Sequence, residues 1–268
     1  MARQMGAIKY KGTLGEVRHF RIKGLKGHFA GLKGGPTKEQ IMTDPAFQRT
    51  RENMSEFGGS ATAAKAVRVG LAQLMGKMAD SRVAGRLTRA MKKINLEDTA
   101  GIRGQRSFFI STNRQHLNGF NFNKESNFDS IIYAPYTLTN SVGRDSATLT
   151  FAPFNPMNFV NPPSGATHFR IVNAISVISD YEFNTDSGVY EPVEDELNEL
   201  NKVEYSGYLS LSDDITTPLE IEAELDGSPT LTGDVSVINS IGIEFYQQIG
   251  SEYYLFAQGN ALKIQTIF

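Results

Sequence analysis

Apolar positions along this chain keep two different periods, and the change between them predicts two parts of unlike architecture. At the start, Ala7, Ile8 and Tyr10 precede Gly12, and Leu14, Val17, Phe20 and Ile22 precede Gly24. The tetrapeptide GLKG then recurs at 24–27 and 31–34. Glycines at this density disfavour a helix and fit hairpin turns or close backbone approach. From residue 37 the spacing becomes helical. TKEQIM can form a turn of helix, and Asp44–Pro45 reads as a cap followed by proline at the first helical position, where its missing N–H costs nothing. The helix so started carries Phe47 and Met54, and the pair Gly58–Gly59 is expected to end it. A second helix is predicted from Ser60 or Thr62 towards Met78, and a third from a cap at Asp80 or Ser81 through Ile94. Its apolar stripe is Val83, Leu87, Ala90 or Met91, and Ile94.

Beyond a connector at 95–110 the period falls towards two. Strands are predicted at 107–111, 130–138, 146–151, 167–178, 205–211, 218–225, 234–238, 241–249, 253–256 and 260–268. The clearest is Leu219, Ile221, Ala223 and Leu225 alternating with Glu220, Glu222 and Glu224, which puts carboxylates on one side and apolar groups on the other. Turn signals stand at NPPSG (161–165), DGSP (226–229) and AQGN (257–260), and EPVEDELNELN at 191–201 is the one helix expected in this half. The fold class is therefore α+β. A basic module over 1–106, a β-hairpin plus two or three helices, precedes an acidic, mainly antiparallel β-sandwich over 107–268.

Charge reinforces the division. Residues 1–114 hold 22 Lys and Arg against 8 Asp and Glu, a net of +14, whereas residues 115–268 hold 5 against 21, a net of −16. So basic a segment favours nucleic acid, an anionic surface, or the acidic half of the same or another copy. On the third predicted helix Arg82, Arg86, Arg89 and Lys93 recur at steps of four, three and four. They form a solvated face, a phosphate-contacting surface joined by Lys65 and Arg68, or a docking face for acidic protein. Arg49 and Arg51 stand apart, because Glu52 and Glu56 lie close enough to pair with them. The ending NALKIQTIF is an apolar strand that must lie in a sheet, and Ile264, Thr266 and Phe268 are candidates for pairing with a neighbouring copy.

Candidate chemistry is sparse. Without cysteine there is no thiol catalysis, disulfide or thiolate metal site. His19, His28, His116 and His168 show no helical metal spacing, and neither HExxH nor GxSxG occurs. Lys33 is followed by Gly34, Gly35 and Pro36 where a phosphate loop needs Ser or Thr and a helix. The acidic runs Asp213–Asp214 and Glu194–Glu196 lack the alternating ligands of a calcium loop. No catalytic residue, metal or cofactor is expected. The aromatics, 17 Phe and 10 Tyr, read mainly as core. No apolar run approaches the about 18 residues of a membrane helix, and the early residues carry no signal-peptide core, so a cytoplasmic location is the expectation.

The blocks MARQMGAIKYKGTLGEVRHF, DPAFQRTRENMSEFG and DSRVAGRLTRAMKKI together resemble an uncharacterised Bacteroidetes protein family, with Asn260–Leu262 matching an NAL-type closing strand. The resemblance spans roughly residues 1–106 and implies membership without an established activity. The functional expectation is a non-enzymatic structural or self-assembling protein, its partners other copies of itself. The alternative is a nucleic-acid-binding protein using the basic helical face of 65–93.

Overall fold

A computed structural model describes residues 1–268, which divide into two compact units, Met1–Arg51 and Glu52–Phe268. In the first, strands β1 (Ala2–Arg3), β2 (Gly12–Leu14), β3 (Val17–Phe20) and β4 (Phe29–Leu32) form an antiparallel sheet in the order β1-β4-β3-β2. Leu14 faces Val17 across a two-residue turn opened by Gly15 at φ 57°, a conformation that costs glycine nothing. Helix α1 (Lys38–Thr43) starts from a reciprocal capping box between Thr37 and Gln40. Asp44 caps the following turn at Pro45–Phe47, as its sequence predicts. Arg51 Nη1 donates to the carbonyls of Ile41 and Asp44 at 2.7 and 2.9 Å and so closes the end of α1. None of the 51 residues of this unit is fully buried.

Three helices follow: α2 (Gln48–Gly70), α3 (Ala72–Met78) and α4 (Val83–Glu97). The stop expected at Gly58–Gly59 does not occur. Gly59 lies on the buried face of α2, where an added Cβ would collide with the rings of Tyr190 and Phe108, so this glycine permits close approach rather than ending a helix. Gly70 plays the same part against Ser176. Between them Ser60, Ala63, Ala64, Ala66 and Val67 keep that face small.

Eleven strands complete the second unit, all paired antiparallel. They are β5 (Tyr136–Asn140), β6 (Ser146–Phe151), β7 (His168–Ser179), β8 (Tyr181–Asn184), β9 (Val189–Pro192), β10 (Asn201–Tyr205), β11 (Leu209–Ser210), β12 (Leu219–Glu224), β13 (Val235–Ile249), β14 (Glu252–Leu255) and β15 (Ala261–Ile267). A six-stranded sheet runs β10-β7-β13-β14, with β11 also on β7 and β15 also on β13. A three-stranded sheet runs β12-β6-β5, and β8 and β9 make a separate hairpin. One face of β7 and β13, with Val172, Ala174, Ile178 and Ile238, joins Leu262 and Ile264 of β15 under Val67, Leu74, Leu87 and Met91 of the helices. The opposite face, with Phe169, Ile171, Ile243 and Phe245, packs on Leu149, Phe151 and Ile221 of the smaller sheet. Because the helices share a core with the strands, the compact division falls at residue 51 and not at 106.

Several predicted elements change form. The stretches 234–238 and 241–249 are one strand, since Asn239 and Ser240 are buried within it and Asn239 Nδ2 reaches Asn173 Oδ1 at 2.8 Å. No helix forms at 191–201: Pro192 ends β9, Val193 N–H donates to Asp180, Asn198 Oδ1 accepts from Ser179, and Glu199 turns to φ 71°. Residues 128–131 make a helical turn capped by Asn127, so the strand expected from 130 begins at Tyr136. At 107–111 only a single bridge between Phe108 and Tyr181 remains. No helix is long and apolar enough to cross a membrane.

Candidate interaction surface

The cation stripe on α4 separates into two kinds of residue. Arg86 is drawn inward: Nη2 lies 2.7 Å from Asp80 Oδ2 and 2.7 Å from the Phe122 carbonyl, and Nη1 donates to the Asn121 carbonyl. Its guanidinium also sits 4.9 Å from the Phe120 ring centroid. It therefore fastens the 120–122 segment to the start of α4 and offers nothing to a partner. Burial alone would raise the Asp80 carboxyl, but the backbone N–H groups of Lys124 and Arg82 and the charge of Arg86 outweigh it and hold the pKa down. Arg82, Arg89 and Lys93 are exposed and make no ion pair within the chain. Lys65 is exposed and Arg68 half-buried, and both line a groove of about 620 Å³ floored by Val69, Ala72 and Met75 between α2 and α3.

A buried ion cluster was not visible in the sequence. Glu56 on α2, fully buried, accepts from Lys92 Nζ and from the Gly104 backbone N–H at 2.7 Å, with Arg106 Nη1 at 3.9 Å. The partner expected for Glu56 was Arg49 or Arg51. The helix turns it instead towards α4, 36 residues along the chain, where no local spacing can reveal a pair. Burial works against its charge, yet the hydrogen bonds from Lys92 and Gly104 and the nearby cations hold the pKa below the ordinary value of 4.5. A carboxylate whose folded pKa is lowered contributes stability that is present above its unfolded pKa and lost as pH falls through the folded one. The melting temperature is expected to drop as pH falls below 4.5, and Glu56→Gln to flatten that acid limb while costing about 3 kcal/mol at neutral pH. Thermal melts across pH on both proteins check it; parallel acid limbs would contradict it.

The C-terminal strand is committed inside its own sheet. Along one edge β15 pairs with β13, and Phe268 exchanges hydrogen bonds of 2.8 and 3.1 Å with Val237. On its other edge Ile264 accepts from Gly119 and donates to Phe120, both at 2.9 Å, while Leu262 accepts from Phe122. Thr266 lies opposite Asn239 of β13. Ile264, Thr266 and Phe268 thus find their partners within one chain, because the 119–122 segment fills the edge that a neighbour would have to use at Ile264.

The acidic surface, by contrast, lies open. On β12 Glu220, Glu222 and Glu224 are exposed and Ile221 and Ala223 buried, following the alternation of the sequence. Glu222 and Glu224 join Glu204 and Asp226 around a depression of about 360 Å³. Only Lys202, 2.9 Å from Asp226, offsets them. Against family models, curated proteins and solved structures, this chain has no match. Its charge distribution is therefore read on its own terms. The first unit holds 11 Lys and Arg against 3 Asp and Glu, a net of +8, and the second 16 against 26, a net of −10.

Proposed function

We propose that this chain is a non-enzymatic structural protein that assembles with copies of itself. The basic unit Met1–Arg51 of one copy docks on the acidic sheet surface of the next, and the face-to-face sheets of the second unit serve as a rigid sandwich body. The observation that carries this reading is a four-stranded unit of 51 residues without one fully buried side chain. Ile8, Leu14 and Leu32 are 71%, 71% and 80% exposed. A small sheet without an apolar face packed on something is marginal in water. A partner surface of opposite charge supplies both the missing cover and the attraction, and the carboxylate face around Glu220, Glu222 and Glu224 of another copy is one such surface. Contacts between unlike faces of identical copies do not close a dimer; they propagate into rings or filaments.

Light-scattering mass of the full chain, measured against concentration at low and high salt, tests the reading. The mass is expected to rise with concentration at low salt and to fall towards one chain at high salt. A single-chain mass at every concentration in low salt would overturn it. The exposed, unpaired Arg82, Arg89 and Lys93 favour a second reading, nucleic-acid binding along α4. That reading requires DNA affinity whose salt slope falls by about one for each of these cations replaced by alanine.

A further inference from the structure

Two half-buried arginines of the second unit spend both terminal nitrogens on the fold. Arg86 reaches Asp80 and two carbonyls, and Arg144 Nη1 and Nη2 reach the carbonyls of Val235, Leu231 and Thr232. Arg170 on β7 differs. Its guanidinium carbon sits 4.3 Å from the ring centroid of Tyr205 and 5.0 Å from that of Tyr208. Nε donates to the Ser206 carbonyl at 3.0 Å. Neither Nη atom makes a hydrogen bond or ion pair within the chain, and neither is sealed from solvent.

The carboxylate best placed to neutralise Arg170 is already engaged. Glu244 stands directly opposite it on β13 and is fully buried. Its Oε2 accepts from the Tyr246 hydroxyl, and Lys77 Nζ approaches Oε1 to 3.3 Å as an ion pair without hydrogen-bond geometry. Arg170 instead leans towards β10, on the other side of β7, which leaves it without an ion pair of its own. Tyr208 is held in turn by the Tyr253 ring, 3.9 Å away and within 2° of parallel, and by the edge of Tyr246 at 4.9 Å. Both rings pack against the guanidinium, and its Nη atoms remain free to donate a pair of hydrogen bonds.

We propose that Arg170 is the centre of an anion-binding site that takes a carboxylate or phosphate group carried on a flat or apolar body. The fork supplies two charge-assisted bonds, a geometry lysine cannot reproduce. The exposed part of the Tyr208 ring supplies the surface against which the ligand's body packs. Nothing in this site depends on assembly between copies.

The test uses the full chain, whose lack of tryptophan leaves its 10 tyrosines as the reporters in near-ultraviolet circular dichroism and fluorescence. Benzoate, acetate, phenyl phosphate and inorganic phosphate are titrated at constant ionic strength, with calorimetry in parallel. Saturable binding is expected, with benzoate above acetate and phenyl phosphate above inorganic phosphate by several-fold. The tighter of benzoate and phenyl phosphate assigns the anionic group. Arg170→Lys, which keeps the charge, is expected to weaken binding by about tenfold or more. Tyr208→Leu is expected to remove the preference for the ring-bearing ligands while leaving acetate and phosphate bound. Absence of saturable binding, or undiminished binding by a folded Arg170→Lys protein, would overturn the proposal.

Discussion

Replacing Asn173 with leucine is expected to lower the unfolding free energy by about 3–5 kcal/mol, although the two side chains have the same number of heavy atoms in the same branched arrangement. Asn173 sits fully buried on β7 with its side chain directed at the smaller sheet. Its Nδ2 donates to the carbonyls of Ala147 on β6 and Ile221 on β12, each at 2.8 Å, while its Oδ1 accepts from Asn239 at 2.8 Å. One fully buried amide therefore ties both sheets together. Leucine would take the second donor from two buried ladder carbonyls and leave Asn239 Nδ2 with only the Ala174 carbonyl at 3.5 Å, losses of about 1 kcal/mol each, and would add the strain of two bulkier methyl groups in a packed core. Asn239→Leu should cost less, because Asn239 Oδ1 already lacks a partner. Urea unfolding at constant m value reads the difference, and equal losses for the two variants would show that the carbonyls of Ala147 and Ile221 do not matter.

Reversing Lys11, Lys23, Lys26 and Lys33 to glutamate in the full chain is expected to weaken assembly by about a hundredfold, from roughly 0.7 kcal/mol at each site. All four are exposed and carry no ion pair, so their loss removes nothing that holds the first unit together. Their reversal takes the net charge of that unit from +8 to 0. The same change made on the α4 cations Arg82, Arg89 and Lys93 should leave assembly almost untouched if docking runs through the first unit. Sedimentation of the two variants side by side separates these outcomes.

The sequence was most informative where one residue's neighbours along the chain decide its environment. Glu220, Glu222 and Glu224 announced the wetted side of β12, and Asp44–Pro45 announced its own capped turn. It was least informative where the deciding partner is distant. Gly59 reads locally as a helix stop, and only the Phe108 and Tyr190 rings, far along the chain, turn it into a packing site. Asn239 and Ser240 read as an interruption, yet the buried amide of Asn173 makes a polar residue acceptable in the middle of β13. Helical spacing placed Arg82, Arg86, Arg89 and Lys93 on one stripe. It could not show that the carbonyls of Asn121 and Phe122 would claim Arg86 alone.

Hydrogen exchange of the backbone amides in β2, β3 and β4, followed at two protein concentrations, tests most directly whether the first unit finds its cover in a second copy. Protection that grows with concentration, and vanishes in the four-lysine variant, is the predicted result. Exchange at the same rate in dilute and concentrated protein would mean that this basic sheet stands uncovered, and self-assembly through it would have to be abandoned.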